Sequence, residues 1–239
     1  VRKKILKYPG SLHNHSDYSN LRLRDSINRT NKLIDYAIEL GQEVIAITEH
    51  ETISNAIKVE EYYNKIKKDN PNFKVILGNE IYLCRDGLNS QNFVRGEDKY
   101  YHFILLAKDA EGHKQIRELS TKAWEHSYKT GKMRRVPTYY EDLINIVGNN
   151  PGHVIGSTAC LGSYLGTQLL KYKDSQKQED YDKVISWLKQ MRNIFGKENF
   201  FLEMQPTEGE EQRYVNREIL NLSNTLNIPY TITTDSHYL

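Results

Sequence analysis

The chain alternates between two hydrophobic rhythms. Short apolar runs are separated by longer stretches in which apolar residues recur every three or four positions, the spacing that places them on one helical face. A short strand is predicted at about residues 10–15. A helix over "RTNKLIDYAIELG" follows, with Leu33, Ile34, Ala37 and Ile38 on one face and Gly41 as its C-terminal stop. "EVIAIT" is an apolar run of the kind found in buried parallel strands. Next come a helix through "ISNAIKVEEYYNKIKK", a strand "FKVILGNEIYL", a polar loop near 85–99 and a strand "YHFILLAK". A long helix is predicted from Ala110 to about Tyr128, then a short helix "YYEDLINIV" and a strand "HVIGSTA". Helical segments at about 162–171 and 180–194 precede a strand "FFLEMQ", and the helix "EQRYVNREILNLSNTL" leads into a last strand, "PYTITTD".

Seven strands, nearly all separated by helices, imply a parallel sheet with helical crossovers. Seven such units fit a closed or nearly closed barrel better than an open sheet, and periodicity alone leaves both available. In either architecture chemistry collects at the C-terminal ends of the strands. No internal repeat or linker divides the 239 residues, which suffice for one large domain or two small ones.

Composition narrows the class without naming a function. With 38% hydrophobic and 27% charged residues and only 6 prolines, the chain is a globular protein rather than a disordered one, and it has no apolar run long enough to span a bilayer. The opening "VRKKILKYPG" lacks the apolar core and cleavage site of a signal peptide. With two cysteines, Cys84 and Cys160, too few for a disulfide framework, a reducing, cytoplasmic setting is expected. A net charge of +2 says little about partners. Locally, "KAWEHSYKTGKMRR" gathers Lys122, Lys129, Lys132, Arg134 and Arg135 around Trp124 and Tyr128. That mixture suits a nucleic-acid backbone with stacked bases, and equally a solvated helix end and loop.

Potential metal ligands fall at strand ends repeatedly. His13 and His15 lie at the first predicted strand, Glu49 and His50 directly follow the second, Glu80 lies within the third, Cys160 follows "VIGSTA", Glu203 ends the sixth, and Asp235 and His237 follow "TIT". His13 with His15 and Asp235 with His237 are spaced i, i+2, so an extended chain aims each pair to one side. Mixed imidazole and carboxylate donors suit zinc, manganese or iron, and their number exceeds what one ion takes up. Any one of these residues alone is more readily a hydrogen-bonded structural group. His102 is the exception, at the start of its strand, and periodicity gives it no reason to point inward. His113, His126 and His153 match no such pattern and are read as structural.

"LHNHSDYS", "AITEH", "GNEIYL", "HFILLAKDAEG", "STACLGS", "LEMQ" and "TTDSHYL" occur in this order and together resemble the polymerase and histidinol phosphatase (PHP) domain. The similarity is greatest to the version at the N-terminus of bacterial DNA polymerase III α subunits, and it covers residues 1–239 as one domain of a longer replicative polymerase. The resemblance implies an α/β fold, a distorted seven-stranded (β/α)7 barrel of PHP type, holding up to three divalent ions. His13, His15, Glu80 and Asp235 would hold one ion, with Glu80 bridging to a second bound by His102 and Cys160. His50 and His237 would hold the third. Where the family carries an aspartate for that third ion the aligned residue is Arg22, with Asp25 three residues later as the replacement and Asp17 as a poorer one. "TEH" stands where the family has "TDH", which places Glu49, like Glu203, behind the ligands rather than among them.

The function so implied is metal-dependent phosphoester hydrolysis, as a 3′ to 5′ exonuclease on a DNA primer end, with the basic segment guiding the strand and the remainder of the α subunit as partner. Two other readings follow from the same residues: a catalytically silent structural module of the polymerase, and a free-standing phosphatase acting on a small phosphomonoester. No palm motif is present, so no polymerase active site is expected in this chain.

Overall fold

The computed structural model describes residues 9–21 and 24–238. The basic opening segment through Tyr8 and Arg22 lie outside the described residues. Among the described residues ten strands are present: β1 (Gly10–Ser11), β2 (Val44–Ile47), β3 (Lys74–Cys84), β4 (Tyr101–Ala107), β5 (Tyr128–Thr130), β6 (Met133–Arg135), β7 (Pro137–Tyr139), β8 (Val154–Ser157), β9 (Phe200–Met204) and β10 (Tyr230–Ile232). The helices are α1 (Thr30–Glu39), α2 (Ala56–Ile66), α3 (Ala110–Glu125), α4 (Tyr140–Leu143), α5 (Tyr164–Ser175), α6 (Gln178–Phe195) and α7 (Glu210–Leu226). Among the described residues no helix is long and apolar enough to cross a membrane.

Seven strands form the main path, β1-β2-β3-β4-β8-β9-β10, with β7 added beside β3. Its two ends meet just beyond β1 and β10. There Asn14 bridges Ser236 in parallel, with His15 N–H donating to Ser236 O at 2.9 Å and Ser236 N–H to His13 O at 3.2 Å. The result is the nearly closed α/β barrel of the seven predicted strands.

The expected parallel sheet needs one correction: β4 runs antiparallel to both β3 and β8. A parallel neighbour requires a crossover long enough to return the chain to the starting edge. The stretch between β3 and β4 contains no helix and simply turns back. Two further corrections concern the basic segment. The long helix ends at Glu125 rather than near Tyr128, and Tyr128 opens the hairpin β5–β6 in place of a loop. Gly131, at φ +60°, makes that tight reversal possible.

Period-two alternation sorts the side chains. On β4, Phe103 and Leu105 face outward into the main core with Val184, Trp187, Phe195 and Phe200. Ile104 and Leu106 face the barrel interior with Ala46 and Ile155, and His102 shares their side of the strand. A second outer core joins α1 and α2 to Ile45 and Ile47 of β2. The barrel floor is therefore apolar, and the polar donors stand above it. Phe103 stacks on Phe195 at a centroid distance of 5.5 Å and is 1% exposed. Phe103→Ala should destabilise the fold by about 3–5 kcal/mol, through lost transfer energy and the cavity left behind. Chemical denaturation checks this, and a shift under about 1 kcal/mol would show that this core collapses to refill the space.

Candidate metal centre

The C-terminal rim of the barrel gathers these donors from six segments. His13 and His15 follow β1 while Asn14 between them turns away, donating to Ser11 O and Ala46 O at 3.0 and 2.9 Å. His50 follows β2 and bridges Glu80 on β3. Cys160 follows β8, and Asp235 and His237 follow β10. Because β4 is reversed, its first residues lie at the same rim, and this is the physical reason His102 belongs there. Gly162 leaves room for that ring: a Cβ on Gly162 would come within 3.2–3.3 Å of the His102 imidazole.

Three groups result among the described residues, two of them sharing His15, each with one donor atom per residue within 4.8 Å of the others: His13, His15 and Asp235; Glu80, His102 and Cys160; and His15, His50 and His237. In the first, Asp235 Oδ1 lies 3.2 Å from His13 Nε2 and 3.3 Å from His15 Nε2. Glu80 Oε1 is 3.6 Å from His13 Nε2, and Oε2 is 3.5 Å from His15 Nε2. In the second, His102 Nδ1 is 2.8 Å from Glu80 Oε1 and 3.4 Å from Cys160 Sγ. In the third, the Nε2 atoms of His50 and His237 are 3.4 Å apart. Asp25 Oδ2 stands 4.0 and 3.9 Å from those two nitrogens. Asp17, by contrast, is exposed and lines a separate recess with Arg29 and Lys58.

These donors fit metal ions. His13 Nε2, His15 Nε2, His50 Nδ1, Glu80 Oε2, Asp235 Oδ1 and Asp25 Oδ1 are all buried and make no hydrogen bond of ordinary geometry; most of them face one another, His50 Nδ1 against Glu80 Oε2 and the two Nε2 atoms against Asp235 Oδ1. Buried polar atoms left short of good hydrogen bonds cost about 1–3 kcal/mol each, and a cation among these converging nitrogens and oxygens would satisfy them together. Imidazole, carboxylate and thiol are the donor types from which such sites are built.

Groups behind the donors set their orientation. Glu203 accepts from His13 Nδ1 at 2.7 Å, and from Thr233 Oγ1, Ser157 Oγ and Gln205 Nε2 at 2.6, 3.1 and 3.2 Å. Glu49 accepts from Ser16, Ser19 and Asn55, and Ser19 Oγ lies 2.9 Å from His15 Nδ1. Both histidines thus spend Nδ1–H on the protein and leave Nε2 open. Ser19 escaped the sequence reading, although its place four residues after His15 was a visible cue. Backbone strain concentrates here as well: Glu51, Ala159 and Asp235, each beside or among the donors, have φ of 55°, 59° and 49°. Glu203→Gln keeps the shape but weakens the grip on His13, and should lower metal affinity about 10–100-fold. Competition with a chromogenic chelator measures this, and unchanged affinity would exclude a supporting role for Glu203.

Electrostatics couple the centre to protons. Burial pushes His13 down, but the charges of Glu203 and Asp235 outweigh it and hold the imidazole well above its ordinary range. Burial likewise opposes ionisation of Glu80, yet the neighbouring His102 and His50 hold its carboxyl well below the usual value. Burial brings His15 down to about 3, leaving it neutral. Asp235 is brought to about 2, burial being outweighed by the charge of His13 and by the close approach of the His15 imidazole. Burial and then the charge of Glu80 push the Cys160 thiol well up. In the metal-free protein His13 and Cys160 therefore keep their protons at neutral pH, and an ion must displace them. Metal uptake should release protons, and affinity should rise with pH. Calorimetry in buffers of different ionisation enthalpy tests this, and an uptake enthalpy independent of buffer would contradict it.

The remaining predicted residues lie elsewhere. Lys129, Lys132 and Arg134 are exposed on the β5–β6 hairpin, and Arg135 is half-buried. The hairpin adjoins the rim: Val136 N–H donates to the Glu51 carboxylate at 3.4 Å, one residue after His50. His126 and His153 pair with Asp142 and Asp109 away from the donors. Cys84 is a buried free thiol.

A nearly closed seven-stranded α/β barrel with histidine and carboxylate donors converging at its C-terminal mouth defines a metal-site class of barrel proteins. Within that class the chain belongs to the PHP domain family, whose family model matches residues 11–207. It is 41% identical to the DNA-directed DNA polymerase of Bacillus phage SPbeta, over 95% of this chain and 18% of that protein. It is 31% identical to the DNA polymerase III subunit alpha of Borreliella burgdorferi, again over 95% and 18%. The chain thus spans less than a fifth of the length of these curated relatives. The fold is similar to that of a "putative metal-dependent phosphoesterase" from Bifidobacterium adolescentis, with a TM-score of 0.52 and 13% identity, covering 96% of this chain and 87% of that one.

Proposed function

We propose that residues 1–239 form the PHP domain of a longer, cytoplasmic DNA polymerase of the DNA polymerase III α type, and that the domain is a metal-dependent phosphodiesterase acting 3′ to 5′ on a DNA primer end. The observation that carries this reading is the set of buried donor atoms converging at one end of the barrel. His13, His15, Glu80 and Asp235 would hold one ion, Glu80, His102 and Cys160 a second, and His50, His237 and Asp25 a third. When bound, such ions supply Lewis acidity toward a phosphodiester and toward water. The protein's own part is placement. Glu203 and Glu49 fix two imidazoles from behind, while the side chains of His102, Asp235, His237 and Asp25, 24%, 21%, 20% and 36% exposed, give the cluster its open side. The basic hairpin beside that opening supplies charge for a phosphate backbone.

The test is a primer-digestion assay on metal-loaded protein, with metal content measured in the same samples. His13→Ala and His15→Ala should each lower bound metal and reduce 3′ nucleotide release by about 100-fold or more. Unchanged metal content and rate would overturn the proposal. The complete burial of Glu80 and His13 favours a second reading, a metal-braced structural module of the polymerase. That reading predicts a lower melting temperature on chelation from protein that, fully loaded, degrades no DNA. Turnover of p-nitrophenyl phosphate without digestion of DNA would instead indicate a phosphatase of small phosphomonoesters.

A further inference from the structure

The loop joining β3 to β4 holds a phenylalanine in solvent and is braced to keep it there. Asp98, 8% exposed, accepts from Arg85 Nε and Nη2 at 2.8 and 3.1 Å and from Val94 N–H at 2.7 Å. Arg85 Nη2 also donates to Asn92 O at 3.1 Å, and Asn92 Oδ1 accepts from Asn89 N–H at 2.6 Å. Phe93 follows immediately and is 41% exposed. A single exposed apolar residue needs no explanation by itself, but this one faces a partner. Its ring lies 9° from parallel to Tyr100, with centroids 6.2 Å apart. The Arg135 guanidinium sits 4.7 Å from the Tyr100 centroid. With Ser90, Tyr128 and Thr130 these three residues line a recess of about 110 Å³, which matches one flat ring rather than a whole nucleotide.

Position and charge indicate what such a ring belongs to. Tyr100 is two residues before His102, about 7 Å along an extended chain, so the recess borders the donor cluster. Lys129, Lys132 and Arg134 stand exposed on the hairpin that supplies Tyr128 and Arg135. Aromatic faces beside an arginine and a row of cations form the usual platform for an unpaired base and its phosphates.

We propose that this recess seats one unpaired base of a DNA strand, through stacking on Phe93 and Tyr100, while the adjoining phosphodiester lies at the His102 edge of the cluster. The assignment rests on the nuclease reading for that placement but not for the binding itself. Stacking of this kind tolerates any base, since every base presents a π face.

The experiment measures binding without turnover: fluorescence anisotropy of a labelled oligothymidylate with the full chain, in chelator, at low salt. Phe93→Ala should weaken binding about tenfold or more, whereas Phe93→Trp should retain it. A strand carrying one abasic position near its 3′ end should bind wild type less tightly, and Phe93→Ala should add little to that loss. Equal binding by wild type and Phe93→Ala would overturn the assignment. So would competition by thymidine monophosphate at the affinity of the strand, which would mean a free-nucleotide site. The two readings fail separately. Strand binding that depends on Phe93 in a metal-loaded protein that never cleaves sinks only the nuclease, while cleavage with an unchanged KM in Phe93→Ala sinks only the base site.

Discussion

The Glu80 carboxylate is wholly buried and stands among four imidazoles, those of His13, His15, His50 and His102. Taking a carboxylate out of water costs several kcal/mol unless opposite charge and hydrogen bonds replace the solvent. Here the replacement comes from imidazoles alone, Oε1 against His102 and His13 and Oε2 against His50 and His15. The rest of the rim follows from this constraint. β3 must reach far enough to carry Glu80 into the mouth, β2 must end beside it so that His50 arrives, and the ends of the sheet must meet at Asn14 and Ser236 so that His13, His15 and Asp235 close the other side.

Much of this was legible in the sequence because strands and barrels convert spacing into direction. The seven main strands and the class of fold follow from alternating runs, and an i, i+2 pair at a strand end names its own geometry. His102 was not legible that way. Its direction depends on the reversal of β4, and a reversal is a property of the connection before the strand. The absence of a helix between Cys84 and Tyr101 was the one available cue. The β5–β6 hairpin was hidden differently: three-residue strands carry too few positions to show a period, and Tyr128 continued the pattern of the preceding helix. Asp25 was preferred to Asp17 on the resemblance alone, and the geometry behind that preference lay beyond any pattern. It depends on how the chain turns after Ser19, where Asn20 accepts from the Asp25 and Ser26 N–H groups at 3.1 Å and so folds the loop back toward His237.

The replacement of "TDH" by "TEH" illustrates how a longer side chain can be absorbed. Glu49 does not enter the cluster. Its carboxylate is used up by Ser16, Ser19 and Asn55, and through Ser19 it reaches the far nitrogen of His15. The extra methylene therefore places an anion one residue removed from the donors, where it adds to the polarity that orients an imidazole without crowding the space between the donor atoms.

The arrangement also separates two requirements that oppose each other. Donor atoms must be dry and rigid for their electrostatics to be strong, yet a polymer substrate has to reach them. In this barrel the dry half consists of His13, His15 and Glu80, each set by partners behind it and by the apolar floor of Ala46, Ile104 and Leu106. The accessible half, with His102, His237, Asp235 and Asp25, comes from the reversed strand and from loops after β1 and β10. The loops lie outside the ladder of the sheet, and the braced Phe93 loop and the basic hairpin lie next to the reversed strand. Access is thus concentrated where the fold departs from regular β/α alternation, so variation in these connections can change what reaches the cluster while Glu80 and its imidazoles stay in place.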